Sequence, residues 1–448
     1  MNRYIEAVEK HRNAILAAED YLWAHPQTGY NEWLADAYLA ERYEAAGYTL
    51  KRAGDIPGFL TVLDTGRPGP RLLILGELDS LVCFEHPECD SETGAVHACG
   101  HCAQSAALLG VALALREPGV LDGLSGSICL CAVPAEELIE LEQRDALRRK
   151  GVIKYYGGKV EFLWRGYFDG CDMALMIHTS NSDKNFFVNQ GSNGCVLKQI
   201  EYIGKAAHAG GSPHLGVNAL YAATQGLSAV NALRETFQDG DHIRFHPIIT
   251  AGGTVVNAIP AHASIESYVR GATLEAIGAA NKRINRALAA AAAAIGAQAH
   301  IKDAPGYTPL VNDPIMMEAA LEAGRLVFGD DTIAQTGYWS TGCTDMGDLS
   351  AVMPAVHPYV SGAQGVGHGA DYRIADPVKA CVRSAAVQVV TAAKLLENDA
   401  ALAKSVLANA KPRFPSHQAY FEAMDAFFLD RDVVSYEENG DVTLKLGQ

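Results

Sequence analysis

Short, continuously apolar runs recur through the first part of the chain, and each ends abruptly in polar groups. Arg71-Leu72-Leu73-Ile74-Leu75-Gly76 runs into Glu77-Leu78-Asp79. Ser127-Ile128-Cys129-Leu130-Cys131-Ala132-Val133 runs into Pro134-Ala135-Glu136-Glu137, and Met173-Ala174-Leu175-Met176-Ile177 runs into His178-Thr179. Runs of this length, separated by helix-like stretches, predict strands buried on both faces of a largely parallel sheet. In such a sheet ligands gather beyond the carboxyl ends of the strands, which draws Asp79, Glu136, Glu137 and His178 towards one crevice. Upstream, the pattern predicts a helix from about Tyr4 to Ala24, a break at His25-Pro26-Gln27-Thr28-Gly29, and a helix from about Trp33 to Ala46. Between Leu147 and Phe168 it predicts a helix and a connecting excursion.

Near Ser192 the texture changes. Cys195 to Ile203 alternates like a half-exposed strand. A helix from about Val217 to Phe237 follows, then strands over Ile243–Ile249 and Ala263–Gly271, an alanine-rich helix from about Leu274 to Ile295, and a short strand near Ala299. Strand, helix, two strands, helix, strand is the ferredoxin-like order. The expected division is a first domain in two parts, 1–190 and 306–411, an inserted unit at 191–305, and a C-terminal extension at 412–448 to which no function is assigned.

The most specific chemistry lies at His97-Ala98-Cys99-Gly100-His101-Cys102. A thiol and an imidazole two residues apart, at a small-residue helix start, suit Zn²⁺ or a similar transition metal. Two ligands make no site, but the strand ends above supply more, and Gly365-Val366-Gly367-His368-Gly369 offers a glycine-rich loop able to return to them. Taken singly, each residue has a plainer reading: a core thiol for Cys99, a hydrogen-bonded core imidazole for His178.

Composition narrows the class. The 448 residues exceed one ordinary core, and 49% hydrophobic with 20% charged residues is globular. A net charge of −16 argues against nucleic acid and anionic membrane surfaces as partners. The amino terminus lacks an apolar signal core, no run reaches transmembrane length, and the ten cysteines show no disulfide spacing. A cytoplasmic protein with reduced thiols is expected.

With Gly76-Glu77-Leu78-Asp79-Ser80-Leu81, the HACGH run at 97–101, Pro134-Ala135-Glu136-Glu137, Ile177-His178, Gly204-Lys205-Ala206-Ala207-His208-Ala209, Val256-Asn257-Ala258-Ile259-Pro260, Thr344-Asp345-Met346-Gly347-Asp348 and His368 in this order, the chain resembles a known family. It is similar to the two-metal aminoacylase and glutamate-carboxypeptidase metallopeptidases, in their amidohydrolase branch of aminobenzoyl-glutamate, auxin-conjugate and hippurate hydrolases, over roughly residues 10–400. The resemblance implies an α/β fold: a mixed-sheet, zinc-peptidase-like catalytic domain with an inserted ferredoxin-like α+β lid that also makes a homodimer.

It further implies that Cys99, His101, Glu137, His178 and His368 are metal ligands for one or two Zn²⁺ ions, with Mn²⁺ or Co²⁺ as alternatives. Glu136 matches the general base, and Asp79 a residue that orients a ligand. Glu77 stands where related carboxypeptidases carry a metal-binding histidine. His208 matches a histidine that reaches the substrate carbonyl from the partner's lid, while Asn257 and Arg270 match substrate contacts, Arg270 being suited to a carboxylate. The resemblance implies that Thr344-Asp345 packs beside the final ligand, a plain helix N-cap pair being the alternative, and no chemical role is assigned to it. The chain departs from the family pattern at Cys102 and Gln104, where Asp and His are usual.

The expected activity is hydrolysis of a small N-acyl amino acid, aminobenzoyl-amino acid or dipeptide. The alternatives are a deacetylase or desuccinylase, and a small-molecule-binding protein of the same fold that has lost turnover, which Cys102 and Gln104 motivate and the Glu136-Glu137 pair opposes.

Overall fold

The structure is a computed structural model that describes residues 1–329 and 332–446, so the end of the extension, 447–448, lies outside the described residues. The chain forms a mixed α/β structure whose contacts divide it into two units.

The first unit comprises Met1–Gly191, Leu310–Trp339 and Asp345–His417. At its centre the strand Arg71–Glu77 lies between Ser127–Val133 and Met173–Leu175, all three parallel, with Ala355–Val356 continuing the parallel set. Phe59–Asp64 joins antiparallel to Ser127–Val133, and Lys51–Arg52 closes the edge, giving a six-stranded mixed sheet. The three predicted runs are thus adjacent strands. Their register sets Glu77 opposite Val133, so the polar groups that follow both strands emerge at the same edge.

The third run behaves differently from its sequence reading. Only Met173–Leu175 belongs to this sheet, and His178–Ser180 joins a second, four-stranded sheet beside Tyr359–Ser361. The predicted opening helix is two, Asn2–Lys10 and Arg12–Ala24. Helix His101–Leu115 is buried at every position except Leu113, which explains its lack of an apolar stripe. Its small residues permit that depth: a Cβ on Gly110 would meet Ile15 Cδ1 at 2.6 Å.

The second unit comprises Ser192–Pro309, Ser340–Thr344 and Gln418–Gln448. Strand Gly194–Ile203 pairs antiparallel with His262–Gly271 on one side and Gln298–Pro305 on the other. Arg244–Phe245 and Ile248–Ala251 pair with the far edge of His262–Gly271. Helices Ala219–Asn231 and Leu274–Ile295 pack on this sheet and on each other. Their starts are set by Asn218 and Thr273, whose side-chain oxygens accept from the amides of Tyr221 and Ala276 at 3.1 Å each.

The C-terminal segment is not a loose appendage. After helix His417–Asp425, strand Leu429–Asp432 pairs antiparallel with Gln298–Pro305 and covers what would otherwise be an open sheet edge. A hairpin of Val434–Tyr436 and Val442–Leu444 follows. All ten cysteines are free thiols. Among the described residues, no helix is long and apolar enough to cross a membrane.

Candidate metal centre and active site

Four segments of the first unit build the candidate site, one of them the strand His178–Ser180, which opens on His178. In the turn before helix His101–Leu115, Gly100 takes a left-handed conformation (φ +90°), and a Cβ there would lie 2.5 Å from the Tyr372 hydroxyl. That turn presents Cys99 and His101. Beyond strand Ser127–Val133, the segment 134–137 presents Glu136 and Glu137. A further segment is the loop between the paired strands Ala363–Gln364 and Arg373–Ile374. It is tied back to the turn before the helix by the His368 amide, which donates to Ala98 O at 2.9 Å.

The ligating atoms of Cys99, His101 and His178 lie within 4.8 Å of one another, and so do those of Cys99, Glu137 and His368. The five residues therefore form two groups that share the Cys99 thiol. Its Sγ is 3.5 Å from His178 Nε2, and His368 Nε2 is 3.2 Å from Glu137 Oε1. A third group joins Glu77, His101 and Glu136.

The imidazole of His101 is fully buried, and its orientation is fixed by Asp79. Nδ1 is 3.0 Å from Asp79 O and 3.1 Å from Asp79 Oδ1; both are acceptors, so Nδ1 carries the proton. Nε2 is left facing Glu77 Oε2 at 3.1 Å, outside hydrogen-bond geometry. Asp79 Oδ2 accepts the Glu137 amide at 2.7 Å, so one buried carboxylate orients both elements. His101 Nε2, Glu77 Oε2 and Glu137 Oε1 are buried without hydrogen-bond partners. Unpartnered buried donor atoms beside a thiol and two further imidazoles fit a bound cation of borderline softness.

The electrostatics separate the two neighbouring glutamates. Burial, reinforced by Glu77 and Glu137, pushes the Glu136 carboxyl well above the usual range. Glu137 is also buried, but His368 and His101 outweigh that and hold it down at about 2. Burial and Glu137 raise the Cys99 thiol, yet His101 and His178 bring it down to about 6, into the thiolate range at neutral pH. One glutamate kept ionised among cations and an adjacent one held proton-ready is the pattern expected of a ligand beside an acid–base group.

Sequence reasoning missed the group beneath these residues. Lys159 is fully buried, and its ammonium reaches Glu77 Oε1 at 2.5 Å and the Asp345 carboxylate. Asp345 does stand at the N-cap of helix Met346–Val352, but its side chain makes no capping bond. Its second oxygen instead accepts the Lys159 amide at 2.9 Å, so the plain capping reading does not hold. The available signal was Gly157-Gly158-Lys159: a Cβ on Gly158 would lie 1.6 Å from Pro134 O, so only glycine lets this helix start seat Lys159 under the strand end. Cys102, one of the two departures from the family pattern, points into the core, with its thiol directed at Glu19 Oε1 at 3.8 Å. Gln104, the other, is buried with both amide atoms unpartnered.

The remaining predicted residues belong to the second unit. His208 pairs with Ala258 in an isolated bridge, and its Nδ1 accepts the amides of Gly210 and Gly211 at 3.2 and 2.9 Å. Asn257 is brought beside it, its carbonyl accepting the Ala209 amide at 2.9 Å. Arg270 stands on strand His262–Gly271, opposite Cys195 and Arg244.

Residues 73–394 match the peptidase family M20/M25/M40. Among curated relatives, the human (Homo sapiens) Xaa-Arg dipeptidase is 27% identical over 389 residues, covering 83% of this chain and 82% of its own. A p-aminobenzoyl-glutamate hydrolase polypeptide of Escherichia coli (strain K12) is 28% identical over 276 residues, covering 60% of this chain and 53% of its own. Among solved structures, a Bacillus subtilis protein described as a dinuclear metal-binding peptidase of the M20 family superposes with a TM-score of 0.63 at 21% identity, over 87% of this chain and 99% of that one. The match spans well over half the chain and takes in the whole candidate centre: the chain belongs to peptidase family M20/M25/M40 and is a metal-dependent amide hydrolase.

Proposed function

We infer that this enzyme cleaves the amide bond of a small N-acyl amino acid, aminobenzoyl-amino acid or dipeptide, with Cys99, His101, Glu137, His178 and His368 holding one or two divalent ions. The observation that carries the reading is the convergence of these five side chains, from four separate stretches of sequence, beside a buried carboxyl that is not one of them. One thiolate, three imidazoles and one carboxylate suit Zn²⁺, with Mn²⁺ and Co²⁺ as alternatives. A bound ion lowers the pKa of water to about 7 and polarises the scissile carbonyl.

Glu136 takes the proton from the attacking water and delivers it to the leaving amine, which its raised proton affinity suits. Asp79 holds His101 in the tautomer that leaves Nε2 available. The inserted segment of about 191–305, which makes up most of the second unit, is proposed as a lid that forms a homodimer and brings His208 of one subunit to the substrate carbonyl held by the other. Asn257 and Arg270 contact the substrate, Arg270 at a carboxylate. A cytoplasmic location agrees with ten free thiols.

The names of the relatives support dipeptides and aminobenzoyl-amino acids as the first substrates to try. The test is metal content by mass spectrometry, together with a panel of dipeptides and N-acyl amino acids assayed with Zn²⁺, Mn²⁺ and Co²⁺. Turnover that chelation abolishes and metal restores is expected. No turnover on any substrate with any of the three ions would overturn the reading in favour of a binding protein.

A further inference from the structure

The backbone that carries Glu136 and Glu137 is strained, and the strain has a specific support. Ala135 has φ +58°, a left-handed conformation that a residue with a Cβ adopts only when its surroundings impose it. Such outliers persist where neighbouring structure over-determines them. Here the neighbours come from three other parts of the chain.

Glu32, fully buried, accepts the Ala135 amide with Oε1 at 2.7 Å. Arg144, 1% exposed, donates from Nη2 to the Glu137 carbonyl and from Nη1 to the Tyr156 carbonyl at 2.6 Å, with Ala135 O at 3.5 Å from the same nitrogen. The Gly158 amide donates to Ala135 O at 3.0 Å. The break at 25–29 also finds its purpose. A Cβ on Gly29 would lie 2.3 Å from Arg144 Nη2 and 3.0 Å from Ala135 Cα, so glycine makes the room in which the guanidinium meets the turn. The next residue, Tyr30, presents its ring 5.5 Å from the Arg144 guanidinium carbon.

An arginine this deeply buried carries a large desolvation cost and is retained only where its fork is well used. Arg144 directs its hydrogen bonds at three main-chain carbonyls, and two of them, those of Ala135 and Glu137, flank Glu136. We propose that Arg144 and Glu32 are positioning residues: they clamp the left-handed turn at Ala135, Glu32 at its amide and Arg144 at the Ala135 and Glu137 carbonyls, and thereby set Glu136 and Glu137 at their distance from Cys99 and His101. The clamp rests on the functional reading above, in which Glu136 is the base and Glu137 a ligand.

The test uses the full chain loaded with Co²⁺, whose visible absorption reports the ligand field independently of turnover. Arg144→Met is expected to lower kcat by about 100-fold, as misplacement of a reacting group by an ångström does. KM should stay within about threefold, and the Co²⁺ bands should shift. Adding Ala135→Gly to that variant should recover kcat about fivefold or more, because glycine holds a positive φ without the clamp. A residue that merely stabilised the fold would not be rescued in this way. If Arg144→Met does not fold, Glu32→Ala removes the opposite arm and should show the same fall, spectral shift and rescue. Unchanged kcat and Co²⁺ bands in a folded clamp variant, or a loss that Ala135→Gly leaves untouched, would overturn the proposal. If wild-type enzyme turns over nothing, the functional reading fails instead, while the Co²⁺ bands still report on the clamp through Glu137.

Discussion

Replacing Asp79 by Asn tests how the candidate centre is oriented, because the change preserves shape and alters one hydrogen-bonding face. Asp79 faces two donors: the His101 imidazole at 3.1 Å from Oδ1 and the Glu137 amide at 2.7 Å from Oδ2. An aspartate accepts from both, whereas an asparagine has one acceptor and must turn its NH₂ towards one of them. With the amide oxygen on Glu137 N, two N–H groups oppose each other at His101; with the oxygen on His101, the Glu137 amide loses its acceptor in a buried position. Either arrangement costs about 1–3 kcal/mol, the penalty for an unsatisfied buried donor.

The cost falls on the geometry that holds a metal, so Zn²⁺ affinity should drop about 10- to 100-fold. The assay is competition with a chromophoric chelator, run beside urea denaturation of the metal-free protein to separate affinity from stability. Asp79→Asn protein that binds Zn²⁺ within about twofold of wild type would refute the reasoning, since the new NH₂ must face either the His101 or the Glu137 donor.

Further predictions address separate links. Glu136→Gln should reduce turnover by at least about 10²- to 10⁴-fold with metal content nearly unchanged by mass spectrometry; loss of metal would mean that the roles of the two glutamates are reversed. Lys159→Met leaves Glu77 and Asp345 buried without their cation and should destabilise the protein by about 3–5 kcal/mol in urea at neutral pH; a change under about 1 kcal/mol would contradict the network. His300 lies between Asp430 and Asp432 of the C-terminal strand at 2.8 and 2.9 Å; burial lowers its pKa, but the two carboxylates outweigh that and raise it. Its stabilisation is therefore full below about pH 6.5 and lost as pH rises through the folded value, so hydrogen exchange in 429–432, corrected for intrinsic rate, should quicken at alkaline pH in wild type and lose that dependence in His300→Gln. Mixing His208→Ala and Glu136→Gln protomers should restore part of the activity through one intact site per mixed dimer; confirmed mixed dimers without activity would remove the role across the interface.

Much of the centre is readable from the chain because its chemistry is local. The HACGH turn opens a small-residue helix, the Glu136-Glu137 pair and His178 each follow an apolar run, and parallel strands in register deliver the residues that follow them to one edge. Lys159 and Arg144 are not readable in this way. A lone basic residue in a stretch rich in arginine and lysine reads as a solvated helix face, and only the seating of Gly158 on Pro134 and of Gly29 on Arg144 shows that both are interior. Leu429–Asp432 was equally silent, since its charged residues carry no strand signal apart from the edge they pair with.

The sequence alone determined the central buried strands and which donor types follow them, since burial on both faces demands apolar runs and a metal demands particular donor atoms. Tertiary structure decided what holds those donors in place. Buried polar groups such as Lys159 and Glu32 are tolerated only through partners distant in sequence, and that pairing exists nowhere in the local pattern.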